Sequence, residues 1–175
     1  MKRFCMTLAA LLVAVPASAQ MNHGEDMSLA AIRGLHDQVA GFITRAAEQM
    51  PEADYSFKPT PEVRSFGEIV GHVANATRMF CSGATGMQGA SAPDAEKLMS
   101  KAEIVSALKG AFASCESAYM MDAMKAGESV QFFGQQHTRL SVLAFNMGHN
   151  FEHYGNIVTY MRLKGMVPPS SQGGM

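Results

Sequence analysis

Asn146-Met-Gly-His149-Asn-Phe-Glu152-His153-Tyr-Gly-Asn156-Ile-Val-Thr-Tyr160 is the stretch on which the reading of this chain turns. It reads as one helix carrying two histidines four residues apart. At 3.6 residues per turn, positions i and i+4 project from nearly the same side, so two imidazoles can share one ion. Projection at about 100° per residue puts Val142, Phe145, Asn146, His149, His153, Asn156, Tyr160 and Leu163 on one stripe. Leu140, Leu143, Met147, Phe151, Tyr154, Val158 and Met161 fall opposite. The histidines are therefore expected to face inward, and the second apolar stripe predicts a homodimer, because a patch of that size usually meets a partner.

Working outward, the remaining chain supplies more helices. Ser28 to Met50 repeats Leu29, Ile32, Leu35, Val39, Phe42, Ile43 and Ala46 at helical spacing, and Pro51 ends the pattern. Residues 20–27 read as a tail, and His36, one place past Leu35, reads as ordinary packing or solvent contact. Ser65-Phe-Gly-Glu68 and Ser100-Lys-Ala-Glu103 are capping boxes, each opening a helix. The first of these buries Phe66, Ile69, Val73, Ala76 and Phe80, with His72 flanking the stripe. The second has the seam Val105, Leu108, Phe112, Cys115 and Tyr119 and closes at Gly127. Residues 82–99 are a glycine-rich connection too long for a simple hairpin. Residues 128–137 are expected to be extended but too short for a sheet. The last helix, from about Thr138 to Lys164, ends at Gly165 and Pro168-Pro169. The fold class is all-α, a four-helix bundle.

Two mature cysteines bear on the topology. If the long connection runs the length of the bundle, the second and third helices are parallel and Cys81 and Cys115 lie at similar heights; in a hairpin they are several turns apart. Disulfide and buried free thiols are both open on the sequence, and the bond would report the parallel arrangement.

The N-terminus has a charged head, Lys2-Arg3, an apolar run from Leu8 to Val15, and the small-residue site Pro16-Ala17-Ser18-Ala19. This pattern predicts a signal peptide over residues 1–19, removal of Cys5 with it, and a periplasmic or secreted mature domain over 20–175 with its core at about 28–167. The apolar run falls short of the roughly 20 residues a membrane span needs, so no membrane span is expected. A net charge of −1 gives no electrostatic case for nucleic acid.

His72, His149 and His153 together make a candidate three-ligand site of the kind that leaves a fourth position open. His149-Asn-Phe-Glu152-His153 also fits the inverted zinc-protease signature, but those enzymes need a downstream acidic ligand and no Asp or Glu follows His153. Glu152 is a candidate general base or a partner for a ligand histidine. Asn75, Asn146, Asn156 and Tyr160 are candidates for orienting imidazoles or lining a pocket. The 15 methionines, Met120-Met121 and Met124 among them, raise copper(I) handling, although methionine at this spacing is ordinarily core filler. There is no haem-attachment motif, P-loop, nucleotide fingerprint or di-iron Glu-x-x-His pair.

These residues also carry a resemblance. Ser65-Phe-Gly-Glu-Ile-Val-Gly-His72, then Gly148-His149-Asn-Phe-Glu-His153-Tyr-Gly-Asn156, then Tyr160-Met-Arg162-Leu-Lys-Gly165-Met-Val-Pro168-Pro169, with Phe57-Lys-Pro59 upstream, resemble the DinB-like superfamily of metalloenzymes. The resemblance runs from about Leu29 to Pro169. It implies a four-helix bundle with a long crossover between helices 2 and 3, and a divalent transition metal held by His72, His149 and His153, zinc first and nickel or iron as alternatives. By analogy it implies a thiol-dependent transferase or a hydrolase acting on a small molecule. The chain departs from the pattern in having Asn156 where glutamine is common and no tryptophan before the second helix. The rival readings are a non-catalytic metal or small-ligand binding protein and a metal-free structural bundle.

Overall fold

A computed structural model describes residues 21–86 and 92–173. The expected signal peptide lies outside the described residues. The main helices are α1 (Met21–Gln49), α2 (Phe66–Thr85), α3 (Lys101–Tyr119) and α5 (Arg139–Leu163). A short α4 (Ala123–Gly127) and two strands, β1 (Ser129–Phe132) and β2 (Gln135–Thr138), separate α3 from α5.

Both capping boxes form. Ser65 and Ser100 each accept the N–H of the glutamate three residues on, and Glu68 and Glu103 reach back to the cap N–H. The C-terminus of α5 closes as expected: Gly165 has φ +72°, and the Met166 and Gly165 N–H groups donate to the carbonyls of Met161 and Arg162.

Cys81 and Cys115 are bonded, with Cα atoms 5.5 Å apart. Each lies near the C-terminal end of its helix, so α2 and α3 run parallel and the crossover reading holds. Lys101, opening α3, donates to the Glu48 and Met50 carbonyls closing α1, which makes those two antiparallel. Tyr160, late in α5, donates to the Arg64 carbonyl just before α2, so α2 and α5 are antiparallel too. The core is built around Val39, Ile43, Phe66, Val70, Val73, Leu108, Ile157 and Met161.

Several expectations are corrected. α1 begins at Met21, so the tail expected at 20–27 is largely helical. Its buried seam takes in His36, 4% exposed, while Leu35 is 44% exposed: the stripe is Leu29, His36, Val39, Ile43, Ala46 and Ala47. The third helix stops at Tyr119, and α4 is a separate turn capped by Asp122. Residues 129–138 do form a small sheet, an antiparallel hairpin that pairs Phe132 with Gln135. Its two-residue turn, Phe133-Gly134, has φ +49° and +75°, the left-handed pair of a type I′ turn.

In α5 the buried seam is Val142, Leu143, Asn146, Asn150, Tyr154, Ile157, Tyr160 and Met161. It straddles both stripes drawn from the sequence. Phe145 and Leu163 are instead exposed, while Leu143, Tyr154 and Met161 are buried and the rest of the second stripe is half-buried. The second stripe is therefore partly covered within the bundle, with Leu140, Met147, Phe151 and Val158 still partly exposed. No helix among the described residues is long and apolar enough to cross a membrane.

Candidate metal centre

His72 on α2 and His149 and His153 on α5 come together because antiparallel packing sets the first two turns of α2 beside the middle of α5. The seam offset described above leaves the two α5 imidazoles beside the core, half-buried, pointing across to α2. The Nε2 atoms of His72 and His149 are 3.3 Å apart, and those of His153 and His149 are 3.1 Å apart. One ligand nitrogen from each ring lies within 4.8 Å of the others. Two nitrogens each about 2.05 Å from a tetrahedral ion are separated by about 3.3 Å. Both spacings are near the edge length of a tetrahedral zinc site, and with the three ligand atoms all within 4.8 Å of one another the set could hold a divalent ion.

Electrostatics prepare the rings for that role. Burial, and then the neighbouring imidazoles, bring His153 down to about 4. Burial first and His72 next also lower His149. Both rings are neutral at pH 7, the form that ligates metal.

The outer nitrogens differ in their partners. His72 Nδ1 is 2.8 Å from Glu96 Oε1. The side-chain amide of Asn156 is 3.4 Å from His153 Nδ1. His149 Nδ1 is buried with no hydrogen-bond partner among the described residues. Burial works against ionising Glu96, but hydrogen bonds from Arg64 and His72 outweigh it and hold its carboxyl below the usual range. Sequence reasoning missed Glu96: it lies 24 residues from His72 in the crossover, where no periodicity points inward.

The other candidates fall in different places. Asn75 binds the crossover: its Oδ1 accepts the Ala95 N–H at 3.0 Å and its amide donates to Asp94 at 2.6 Å. Asn146 is fully buried lower in the bundle, donating to the Tyr119 hydroxyl at 3.0 Å, with its Oδ1 unpaired among the described residues. The Tyr160 hydroxyl is committed to the Arg64 carbonyl at 2.6 Å. Glu152 is exposed, near enough to His149 to favour its protonated form, but no hydrogen bond joins it to a histidine among the described residues. His36 is not a fourth ligand: it stacks on Tyr119 with centroids 4.0 Å apart, and burial lowers it to about 4 against a smaller opposing effect from Asp37.

Beside the histidines a groove of about 760 Å³ is lined by His153, Asn156, Thr159, Tyr160 and Glu96, with the 58–64 segment as its far wall. Its cations are already paired, Lys58 with Glu68 and Arg64 with Glu96, both at 3.0 Å.

A family model described as the DinB superfamily matches residues 36–157. Solved structures similar to the chain include a DinB-like protein from Bacillus cereus ATCC 10987, at 16% identity and a TM-score of 0.66, covering 78% of this chain and 91% of that one. Another is a DinB-like protein from Bacillus subtilis, at 20% identity and a TM-score of 0.64, covering 83% of this chain and 99% of that one. These likenesses bear on the fold. No curated protein sequence matches the chain.

Proposed function

The chain belongs to the DinB superfamily, and from that premise we propose that it is an exported metal-dependent enzyme whose centre is His72, His149 and His153. The observation that carries the reading is the pair of Nε2 separations, 3.3 and 3.1 Å, beside an open groove. A three-histidine set that borders a groove at His153 supports catalysis over storage, because a closed four-ligand shell leaves no position for a reactant.

A divalent ion held there, zinc ahead of nickel or iron, supplies the Lewis acidity that makes a thiol or a water a better nucleophile at neutral pH. The chain's own residues orient His72 through Glu96, and wall the reactant between the 58–64 segment and α5. Glu152, exposed on the same turn as the two α5 histidines, is the candidate base. Transfer of a small thiol to an electrophile is the leading reaction class, with hydrolysis second. Export is supported by the N-terminal pattern and by the Cys81–Cys115 bond, which persists in oxidising compartments; N-terminal sequencing of periplasmic protein beginning at Gln20 tests it.

The deciding experiment is metal analysis of tag-free protein followed by assay of metal-loaded protein against thiols and electrophiles, with His72→Ala as control. About one equivalent of a transition metal, lost in His149→Ala, together with thiol-dependent turnover lost in His72→Ala, is expected. Stoichiometric metal without turnover would favour the binding-protein reading. Less than a few tenths of an equivalent, unchanged in His149→Ala, removes the metal altogether.

A further inference from the structure

We propose that Glu96 is the positioning residue of the three-histidine centre, fixing His72 with its Nε2 lone pair inward, and that Gly71 and Asn75 exist to dock the crossover that carries it. The inference rests on the metal reading above. An imidazole that ligates through Nε2 must keep its proton on Nδ1, and that proton needs an acceptor. His72 Nδ1 has one at 2.8 Å in Glu96 Oε1, and Arg64 Nε donates to the other carboxylate oxygen at 3.0 Å. A carboxylate with its charge compensated in this way only accepts, so it selects one tautomer of His72. Among the described residues neither of the other two rings has a carboxylate acceptor at Nδ1: beside His153 Nδ1 stands the Asn156 amide nitrogen, a donor, at 3.4 Å, and His149 Nδ1 has no partner within hydrogen-bond geometry.

The delivery of Glu96 is built as carefully as the ligand. Glu96 belongs to a single 3-10 turn, Ala95–Lys97, on no bundle helix. That turn lies flat against α2 at Gly71: a Cβ there would overlap the Ala95 carbonyl and sit 2.8 Å from the Glu96 nitrogen. Asn75, one helical turn on, holds both Asp94 and Ala95, and Asp94 in turn accepts the Glu96 N–H at 3.1 Å. Gly71 and Asn75 thus bracket His72 on α2 and clamp the same turn. A connection that merely joined α2 to α3 would require none of these contacts.

The test is zinc affinity of metal-free protein, by competition with a chromophoric chelator, together with the visible spectrum of the cobalt(II)-loaded form. Glu96→Ala is expected to weaken zinc binding by about 10- to 100-fold and to shift the cobalt bands. Glu96→Gln, which keeps an acceptor oxygen but no charge, should fall between it and wild type. Gly71→Ala, which touches no ligand, should weaken zinc in the same direction, with its cobalt spectrum displaced towards that of Glu96→Ala. In a His72→Ala background, Glu96→Ala should have no further effect, because its action passes through that ring. Arg64→Gln separates positioning from anchoring, since it breaks the ion pair yet leaves the carboxylate on His72, and it should change affinity less than Glu96→Ala. Wild-type affinity and spectrum in Glu96→Ala, or an Arg64→Gln loss as large as that of Glu96→Ala, overturns the proposal while leaving the metal centre standing. A wild-type protein that takes up neither zinc nor cobalt overturns both.

Discussion

His36→Phe should remove a block of pH dependence from folding. The unfolded imidazole titrates near 6.5, whereas the folded one, stacked on Tyr119 and 4% exposed, is lowered by burial to about 4. Between those values the unfolded chain binds a proton that the folded chain refuses, so stability falls as the pH drops through the window. The interval is about 2.5 pH units, and at about 1.36 kcal/mol per unit the whole effect is about 3 kcal/mol. Some 2.5 kcal/mol of that is expressed between pH 7.5 and 4.5. Phenylalanine keeps a ring against Tyr119, and the groove of about 820 Å³ that His36 lines gives the larger ring room. The assay is urea denaturation of metal-free wild type and variant at several pH values, with the two slopes subtracted. His149 and His153 titrate alike in both chains and cancel. The difference should grow to about 2.5 kcal/mol by pH 4.5, with the variant the less acid-sensitive. Parallel stability curves would refute the claim that His36 is held neutral by its place in the core.

Three further outcomes follow from the packing. Replacing Cys81 and Cys115 together by alanine opens a link across 34 residues, which loop-closure entropy values at about 4 kcal/mol; calorimetry should show a fall in Tm of roughly 10 °C, and no fall would mean the bond does little to the unfolded chain. Gly83→Ala puts a Cβ 2.6 Å from two ring carbons of Phe132, so it should cost about 1–3 kcal/mol in urea denaturation, and a neutral result would show that the hairpin is not seated firmly on α2. Phe133→Asn relaxes a bulky residue at φ +49° and should gain about 1 kcal/mol, whereas a loss would assign more weight to the Phe133 contact with Phe80 than to backbone strain.

What the sequence made legible is what local rules control. The capping boxes and the Gly165 cap each sit in a pattern of a few residues and are where that pattern put them, and the three histidines of the candidate site are brought together. The misses needed information from across the bundle. A shift of one residue decides whether Leu35 or His36 faces inward, and hydropathy favours the leucine; it is the ring of Tyr119 on α3 that makes the inward imidazole acceptable. Likewise the α5 seam passes between two stripes that are nearly equally apolar, and only its packing against α1 and α2 chooses. Asn75 looks like a pocket group until its partners are known, and then it is a clamp on the crossover, while Tyr160 lines the groove with its hydroxyl tied to the Arg64 carbonyl. Glu96 carries no local signal at all.

The charges around the histidines bear on which chemistry the centre can support. Three carboxylates as ligands would more than cancel a divalent ion's charge, while three neutral imidazoles cancel none of it. The one carboxylate in contact with a ligand ring, Glu96, is itself balanced by Arg64, and Lys58 and Glu68 balance each other across the groove. The surroundings therefore leave an ion's charge almost wholly available to a reactant. That is the condition under which an anionic nucleophile such as a thiolate is stabilised at neutral pH, and it is a condition a storage site has no reason to meet, since retaining an ion calls for charge compensation and a closed shell. Burial and then neighbouring imidazoles lower both His149 and His153, which favours the neutral form that an ion requires. On the proposed reading, a centre open on one side is what lets a reactant reach the ion, and a fourth protein ligand closing that side would refute it.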